Sequence, residues 1–396
     1  MNIYLLKNDD RSMLEWIKRT QADSFSYEIL DRKTILPIFY LKDVKVETAN
    51  IMKQTALSVG CDCSISKKVI SGSGEISDMM VMCTYSQLLK MSEKLKGQPF
   101  SLEKAVDLMI NKINYKEKFI VKNINLLEKK HYLVMGILNF TDDSFYDGSK
   151  YKNMDSAMKH IEEMIEFGAD IIDIGGESTR PSSEPVEENE EIKRIMPLIK
   201  EAKKRFKEVI FSVDTYKSNV AESALMEGVE IINDISGLNF DERMVSVISK
   251  HKSSCILVHI QGKPKNMQDS PFYENVILEV TDKLSQSVKR AEENGICPEC
   301  ISVDPGIGFG KNQEHNLKLL SHIDVLSSLL KPICIGVSNK RFIGNILGKK
   351  ENERIYGTLG ANVIALKNKA KIFRVHNVRE NVEALKIAEE IIYAGN

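Results

Sequence analysis

The hydrophobic and polar positions from His131 to Asn396 repeat one pattern. An apolar run of about five residues is followed by a polar loop and then by an amphipathic stretch of roughly 12 to 20 residues with the helical period. The repeat predicts eight strands that alternate with helices. The predicted strands are Leu133–Leu138, Ile171–Ile174, Val209–Val213, Glu230–Ile232, Cys255–Val258, Cys300–Val303, Ile333–Val337 and Lys371–Val375.

This alternation predicts an α/β fold, a parallel (β/α)8 TIM barrel, because eight strand–helix units match one closed barrel. An open doubly wound sheet is the alternative. We favour the barrel because the loop after the first strand lacks the G-x-G-x-x-G sequence of dinucleotide-binding sheets. In a barrel, the reactive groups lie in the loops that follow the carboxyl ends of the strands.

The first part of the chain has a different pattern, in which lysine-rich stretches mix with short apolar runs. Helical periods cover Gln87–Lys96 and Leu102–Ile113, and a helix from Lys53 ends at Gly60, with a turn predicted over Cys61–Ser64. We therefore predict a smaller mixed α/β N-terminal domain over residues 1–125 and the barrel over residues 130–396. No chemistry is recognisable in the N-terminal domain, and its role stays open.

Composition excludes several classes of partner. The 396 residues carry 55 basic and 56 acidic side chains, for a net charge of -1, which provides no field that would attract nucleic acid or an anionic membrane. The chain has no apolar run of about 18 residues, and its first ten residues lack the apolar core of a signal peptide. We expect a cytoplasmic protein that acts on small molecules.

The seven cysteines are predicted to be reduced thiols. Cys61 and Cys63 form a C-x-C pair, and Cys297 and Cys300 form a C-x-x-C pair. Neither pair lies near the second pair or the histidine that a four-ligand zinc site requires. We assign no metal or redox role to them.

Polar residues follow almost every predicted strand. One Asp or Asn at a strand end is usually a cap for the next helix, but eight polar ends at the same mouth of a barrel indicate a binding site. The strand ends carry Asn139, the stretch Asp170–Pro181, Asp214, Asn233, His259, the stretch Asp304–Lys311, Ser338 with Lys340, and Arg374 with His376.

These residues divide into two chemistries. Two carboxylates, an amide and a cation suit a flat heterocycle that has N–H donors and a ring carbonyl; these are Asp214, Asn233, Asp304 and Lys340. Cationic groups with an amide oxygen that can hold a metal suit a phosphate or pyrophosphate; these are Arg180, Arg374, His376 and Asn139. The sequence predicts a polar heterocycle that carries a phosphate-type leaving group.

The order and spacing of these motifs resemble the dihydropteroate synthase family over residues 130–396. The motifs are Met135–Asn139, Asp143–Phe145, Asp147–Gly148, Asp173–Pro181, Ser212–Thr215, Ile232–Asp234, Asp304–Lys311 and Arg374–His376. The resemblance implies that 6-hydroxymethyl-7,8-dihydropterin diphosphate and 4-aminobenzoate condense to 7,8-dihydropteroate and diphosphate in folate biosynthesis. It also implies Mg²⁺ as cofactor, sensitivity to sulfonamides and a possible homodimer formed through the barrel.

The resemblance assigns roles to the candidate residues. The pterin contacts would be Asp214, Asn233, Asp304 and Lys340, with Ile235 and Phe309 packed nearby. The diphosphate and Mg²⁺ side would comprise Arg374, His376 and Asn139. The aminobenzoate site would be shaped by Ser144 and Phe145 in one loop, by Thr179, Arg180 and Pro181 in a second loop, and by Ser338 at its edge. The residues implied in catalysis are Lys340, Arg374, His376 and Arg180.

The chain departs from the family pattern at four positions. Asp142 replaces a proline, Ile260 a methionine, Asn339 an arginine and Asn377 an aspartate. We expect these changes to affect substrate affinity and inhibitor response more than the reaction. Two alternative functions share the pterin contacts: a methyltransferase that acts with a corrinoid protein, and a non-catalytic pterin-binding scaffold.

Three further interpretations concern charged and histidine side chains. Lys311 is predicted to be a solvated residue at the start of a helix. The acidic run Glu184–Glu191 is predicted to be a solvated first helical turn that favours the helix dipole. His259 is either a strand-end histidine with local hydrogen bonds or a direct ligand contact.

Overall fold

The computed structural model of the chain describes residues 13–70, 75–140, 154–178 and 183–394. The chain divides into two compact units. The first unit extends to Lys116, and the second covers Glu117–Ala394. None of the described helices is long and apolar enough to cross a membrane.

The first unit is a three-stranded antiparallel sheet with helices. Its elements are α1 (Leu14–Arg19), α2 (Tyr27–Thr34), β1 (Ile38–Lys45), α3 (Val46–Ser58), β2 (Asp62–Ile65), α4 (Lys67–Ile70), β3 (Ile76–Met82), α5 (Tyr85–Leu95) and α6 (Leu102–Asn114). The strand order is β1-β3-β2. Met79 and Val81 alternate with exposed or half-buried neighbours along β3 and join a core that includes Met52, Leu88 and Val106. This unit therefore has its own hydrophobic core.

The turn predicted over Cys61–Ser64 is wrong. Asp62–Ile65 is strand β2, and it pairs antiparallel with Met79–Met82 of β3. Four residues are too short to display a strand period. The pairing with a strand that comes later in the chain decides the conformation.

The second unit begins with the short hairpin β4 (Ile120–Val121) and β5 (Ile124–Asn125), and the barrel follows. The barrel strands are β6 (Leu133–Asn139), β7 (Ile171–Gly175), β8 (Ile210–Asp214), β9 (Ile231–Asp234), β10 (Ser254–Val258), β11 (Ile301–Asp304), β12 (Ile333–Ile335) and β13 (Ala370–Val375). The outer helices in the described residues are α7 (Met154–Glu166), α8 (Glu188–Arg205), α9 (Ser218–Met226), α10 (Met244–His251), α11 (Val276–Glu293), α12 (Gln313–Ser321), α13 (Arg341–Leu347), α14 (Ile355–Lys367) and α15 (Val378–Tyr393).

Strands β6 to β13 are parallel and form a closed barrel in sequence order. The predicted α/β barrel with a preceding mixed α/β region is confirmed. Strands β7 and β10 are buried along their whole length, as expected for parallel strands covered on both faces. Closure brings the carboxyl ends of all eight strands to one mouth.

The β4–β5 hairpin contributes to the barrel interior. Phe119 and Val121 are buried in one cluster with Leu133, Ile231 and Ile256 of the barrel strands. Apolar side chains therefore fill the space inside the strands, which is a packed core and not a pore.

In the sequence, the helical period that follows the sixth predicted strand covers Glu314–Leu330 and predicts one helix, and this prediction is wrong. Helix α12 ends at Ser321, and a 3-10 segment runs from Ile323 to Leu329. His322 between them has φ -129°, outside the helical region. Ile323 and Leu326 are buried at a spacing of three residues, which matches the 3-10 period better than a continuous α-helix.

Candidate active site

Strand register places the predicted polar residues side by side. Asp214 of β8 lies opposite Asn233 of β9, and Val258 of β10 lies opposite Asp304 of β11. Each of these polar residues is at or next to the end of its strand. Their side chains therefore converge at the carboxyl mouth of the barrel.

A cavity opens at this mouth, and it contains nine of the residues predicted from the sequence. Its lining is Ile137, Asp214, Asn233, Ile235, Val258, Asp304, Ile307, Phe309, Gly336, Ser338, Lys340, Arg374 and His376. Apolar walls with a few convergent polar groups are typical of a small-molecule site.

Arg374 is held by two buried carboxylates. Its Nε donates to Asp173 Oδ2 at 2.6 Å, and its Nη2 donates to Asp214 Oδ2 at 2.6 Å. Asn233 Nδ2 donates to the same Asp173 oxygen at 3.2 Å. This network fixes the guanidinium plane at the mouth of the barrel and leaves its other N–H groups for a ligand.

Two acceptors in this network are unused. Asp173 Oδ1 and Asp214 Oδ1 are buried and have no hydrogen-bond partner in the described part of the chain. Buried polar atoms are normally satisfied, so an orphaned acceptor at a cavity favours a ligand that brings N–H donors. Asp214 lines the cavity directly, whereas Asp173 lies behind it.

The pKa of Asp214 is raised, chiefly by burial. Burial and the negative charge of Asp173 raise this pKa to about 7, although Arg374 opposes the shift. For Arg374, the two carboxylates outweigh burial and raise the pKa of its guanidinium above its usual range. The arginine is therefore charged, and Asp214 titrates near neutral pH.

Lys340 lies over an aromatic face in the lining of the cavity. Its Nζ is 4.1 Å from the centroid of the Phe309 ring, a cation–π contact. Burial lowers the pKa of Lys340 to about 8, although Asp304 opposes the shift. Burial also raises the pKa of Asp304, whose Oδ1 accepts from the Gly306 backbone N–H at 2.7 Å.

Ser338 and His376 form a second polar pair in the lining. Ser338 Oγ accepts from the His376 backbone N–H at 3.2 Å and lies 2.9 Å from His376 Nδ1. The serine therefore contacts both the backbone and the ring of His376, and its contact with Nδ1 orients the imidazole. Ser338 therefore lies beside His376, the residue that the sequence assigns to the anion-binding side.

Other predicted residues lie elsewhere. Asn139 is exposed at the end of β6 and is not part of the cavity lining. Asp142 and the loop residues predicted to contact substrate, Ser144, Phe145, Thr179, Arg180 and Pro181, lie outside the described residues. The seven cysteines are free thiols, and the described part of the chain holds no cluster of three or more His, Cys, Asp or Glu side chains that could bind a metal.

Sequence reasoning missed Asp173 as a member of the site. It lies between Ile172 and Ile174 in a strand that is otherwise apolar, and that placement was the available signal. A carboxylate in such a run is buried in a parallel sheet and requires a charged or hydrogen-bonding partner. Its partner, Arg374, is 201 residues away in sequence.

The prediction that Lys311 is solvated is wrong. The acidic run Glu184–Glu191 does supply the first turn of α8 and is mostly exposed, but the prediction fails at Glu191. Lys311 is only 2% exposed and contacts His259, also buried, through their side-chain nitrogens. Glu191 is 1% exposed, and together with Glu177 it is paired with the buried Lys217. Packing of the loops between strands and helices buried these side chains, and a one-dimensional charge pattern does not contain that information.

Asn339, one of the departures from the family pattern, has a local structural explanation. Its φ is 56°, in the left-handed region that asparagine tolerates better than most residues. Its carbonyl accepts from Arg354 Nη1 at 2.8 Å. The asparagine thus suits the turn between β12 and α13.

The fold and the site define a barrel enzyme that binds a polar heterocycle at the mouth of its strands. Residues 135–376 match the family described as "Pterin binding enzyme". The dihydropteroate synthase of Clostridium beijerinckii is 42% identical over 272 residues, which cover 68% of this chain and 97% of that protein. The crystal structure of Yersinia pestis dihydropteroate synthase with a sulfonamide drug superimposes with a TM-score of 0.66 at 38% identity, covering 70% of this chain and 99% of that one.

A third relative extends over the N-terminal region. The bifunctional dihydropteroate synthase/dihydropteroate reductase of Helicobacter pylori is 30% identical over 377 residues, 95% of each chain. The chain belongs to the dihydropteroate synthase family of pterin-binding enzymes.

Proposed function

We propose that the barrel condenses 6-hydroxymethyl-7,8-dihydropterin diphosphate with 4-aminobenzoate, and that the cavity at its mouth is the pterin pocket. The observation that carries this proposal is the set of groups gathered there. An orphaned buried oxygen of Asp214, the amide of Asn233 and the carboxylate of Asp304 face the same space as Lys340. Together they complement the N–H donors and the carbonyl of a pterin ring.

In this proposal, the cationic side of the mouth binds the leaving group. Arg374 uses two of its nitrogens on carboxylates and keeps other N–H groups for an anion, and His376 lies in the same lining. The bond from the pterin methylene carbon to the diphosphate oxygen breaks, and the neutral aromatic amine supplies the electron pair for the new C–N bond. The amine nitrogen then loses one proton to water or to the released diphosphate. The main demand on the protein is to stabilise the departing anion, so no strong base is required.

The donor set fits Mg²⁺ bound together with substrate. Asn139 is an exposed residue at the end of β6, at the same mouth, and its side chain carries an amide oxygen. Mg²⁺ typically uses one or two protein oxygens plus phosphate oxygens and water. When bound, the ion would neutralise charge on the diphosphate. Asn139 would hold the ion, while Arg374 and His376 would bind the phosphate oxygens.

Formation of 7,8-dihydropteroate from the two substrates and Mg²⁺ tests this function. We expect turnover by the unmodified chain and losses of about a hundredfold or more in kcat/KM for Lys340→Ala and Arg374→Ala, as when a charged transition-state contact is removed. Lys318→Ala, on the exposed face of α12, is the matched control. Pterin binding without turnover would favour a scaffold, and methyl transfer to a corrinoid protein would favour a methyltransferase. We also expect sulfonamides to compete with 4-aminobenzoate.

We propose a second activity, reduction of dihydropteroate, which the N-terminal unit would provide. The relative from Helicobacter pylori is named for both activities and aligns with 95% of this chain, whereas the Clostridium beijerinckii synthase aligns with 68% of it. The extra length thus accompanies the extra activity. The reaction adds a hydride and a proton across the remaining C=N bond of the pterin, and the hydride would come from a reduced nicotinamide or flavin.

Incubation of the full chain with 7,8-dihydropteroate and a reduced nicotinamide or flavin tests the reductase proposal. Mass spectrometry should detect tetrahydropteroate, with the Clostridium beijerinckii synthase as a control that lacks the extra unit. Absence of reduced product from a preparation with full synthase activity would contradict the proposal.

We also propose a homodimer formed through the barrel helices. Helices α14 and α15 pack together and expose large apolar side chains, with Tyr356 82%, Ile387 64% and Ile391 66% exposed. Exposed apolar side chains concentrated on one side of a domain favour a protein interface. Light scattering should give twice the chain mass, and the double substitution Tyr356→Glu with Ile387→Lys should give the monomer. A monomeric unmodified chain would contradict this.

A further inference from the structure

Lys311 is a buried lysine without a carboxylate partner. It is 2% exposed, and in the described part of the chain none of the hydrogen-bond contacts of its Nζ is to an Asp or Glu oxygen. Its Nζ instead lies 2.9 Å from His259 Nδ1, 3.0 Å from the Gly306 carbonyl oxygen and 2.9 Å from the Phe309 carbonyl oxygen. Burial lowers the pKa of this lysine well below its usual range. It also donates to the His259 carbonyl oxygen at 3.4 Å, so three backbone carbonyls accept from it. A buried amine that donates to backbone carbonyls fixes the loops to which they belong.

The segment that Lys311 fixes is the loop between β11 and α12. This loop lies directly on the residues that follow β10, because a Cβ atom on Gly306 would be 1.9 Å from the His259 carbonyl oxygen. A Cβ on Gly310 would be 2.3 Å from the Gln261 carbonyl oxygen. Lys311 thus lies at the junction of two loops that contact each other through backbone atoms. Because the two loops already touch through backbone atoms, the loop after β11 cannot move closer to the residues that follow β10.

Two further hydrogen bonds support the same loop. Tyr273 Oη donates to the Gly310 carbonyl oxygen at 3.0 Å, and Gln268 Nε2 donates to the Gly308 carbonyl oxygen at 2.6 Å. These bonds reach the carbonyls of Gly308 and Gly310, whereas Lys311 binds the carbonyls of Gly306 and Phe309. The lysine therefore fixes two loop positions that each contact a residue of the cavity lining.

Gly306 and Phe309, whose carbonyls accept from Lys311, each contact one residue of the cavity lining. The Gly306 N–H donates to Asp304 Oδ1 at 2.7 Å, which orients this carboxylate. The Phe309 ring lies 4.1 Å from Lys340 Nζ. A shift of the loop would therefore move an acceptor and the aromatic face beneath the cavity lysine at the same time.

We propose that Lys311 is a positioning residue for the pterin pocket, which it shapes through Asp304 and Phe309 without touching the substrate. The proposal rests on the function proposed above for the cavity. It deepens that function because it assigns the geometry of the pterin half of the site to a side chain outside the lining. The aminobenzoate half should be independent of Lys311.

The test compares Lys311→Met with Lys318→Met, a control on the exposed face of α12. We expect the KM for pterin diphosphate to rise about tenfold in Lys311→Met, as expected when a carboxylate and a cation–π partner are both displaced. The KM for 4-aminobenzoate should stay within about twofold of that of the unmodified enzyme, because its contacts are elsewhere. A lower melting temperature with an unchanged pterin KM would overturn the proposal, since it would indicate a role in folding alone.

Two further measurements keep the test decisive. If Lys311→Met does not fold, His259→Phe removes only the Nδ1 partner of the lysine and should raise the pterin KM by a smaller factor; no change would refute the proposal. If the unmodified chain shows no synthase turnover, the proposed function fails separately. Calorimetry with pterin diphosphate then decides about Lys311, because weaker binding by Lys311→Met supports the positioning role and equal binding overturns it.

Discussion

Substitution of Asp173 by asparagine should shift the pH dependence of pterin use. The two carboxylates that bind Arg374 both lie 2.6 Å from its nitrogens, so they are close neighbours across one guanidinium group. At an effective dielectric constant near 20, two like charges about 4 to 6 Å apart repel by about 3 to 4 kcal/mol. This repulsion adds to burial in raising the pKa of Asp214 to about 7.

The direction of the change follows from these charges. Asp173→Asn removes the repelling charge, and Asp214 then no longer shares the Arg374 charge with a second carboxylate. The pKa of Asp214 should therefore fall. The ionised form of Asp214 accepts N–H donors, whereas the protonated form presents an O–H. The acid limb of kcat/KM for pterin diphosphate should therefore lie near pH 7 in the unmodified enzyme. It should move down by about one to two pH units in the variant.

Stability should show the same linkage. The folded-state pKa of Asp214 is raised from 3.8 to about 7, so between these values the folded chain binds a proton that the unfolded chain has released. The contribution of Asp214 to the free energy of unfolding therefore decreases as pH rises from about 4 to about 7. In Asp173→Asn this decrease should be smaller.

Kinetics at saturating 4-aminobenzoate across this pH range, with thermal unfolding at the same pH values, provide the assay. Asp324→Asn, in an exposed helical turn, is the matched control and should leave the profile unchanged. An acid limb that stays in place, or that moves to higher pH in Asp173→Asn, would refute the electrostatic coupling between the two carboxylates.

Three further predictions follow from the site. Phe309→Leu removes the ring over Lys340 and should raise the KM for pterin diphosphate about threefold to tenfold at unchanged thermal stability, measured by steady-state kinetics; an unchanged KM would contradict the role of the ring. Gly306→Ala, at φ 65° and with its Cβ 1.9 Å from the His259 carbonyl oxygen, should lower the free energy of unfolding by about 2 kcal/mol or more in urea titration, and a neutral result would refute the close loop contact. Chelation of divalent cations should abolish turnover, and added Mg²⁺ should restore it in the unmodified enzyme and less well in Asn139→Ala; full activity in chelator would exclude the metal role.

Much of the barrel could be predicted from the sequence because its signal is local. Each strand of the barrel is a short apolar run between polar loops, and each is followed by a stretch of helical period. The limits of this approach are visible where elements are short or irregular. Strand β2 was mistaken for a turn, and the break at His322 was missed, because pairing and burial decided both conformations.

The candidate site was partly predictable for the same reason. In a closed parallel barrel all carboxyl strand ends meet, so polar residues at those ends had to converge once the strands were located. Asp214, Asn233, Asp304, Lys340 and Arg374 all line the cavity as a consequence. The sequence did not indicate which of these side chains pair with each other and which remain open to a ligand.

The sequence by itself determined the order of strands and helices, the class of fold and the set of polar groups at the mouth of the barrel, since these depend on local periodicity and on topology. Only the tertiary structure decided that Asp173 shares Arg374 with Asp214, that Glu191 is buried against Lys217, and that Lys311 is enclosed between two loops. Those outcomes depend on contacts between residues far apart in the chain. Burial and the pKa shifts that follow from it arise from these contacts, and no local pattern of residues encodes them.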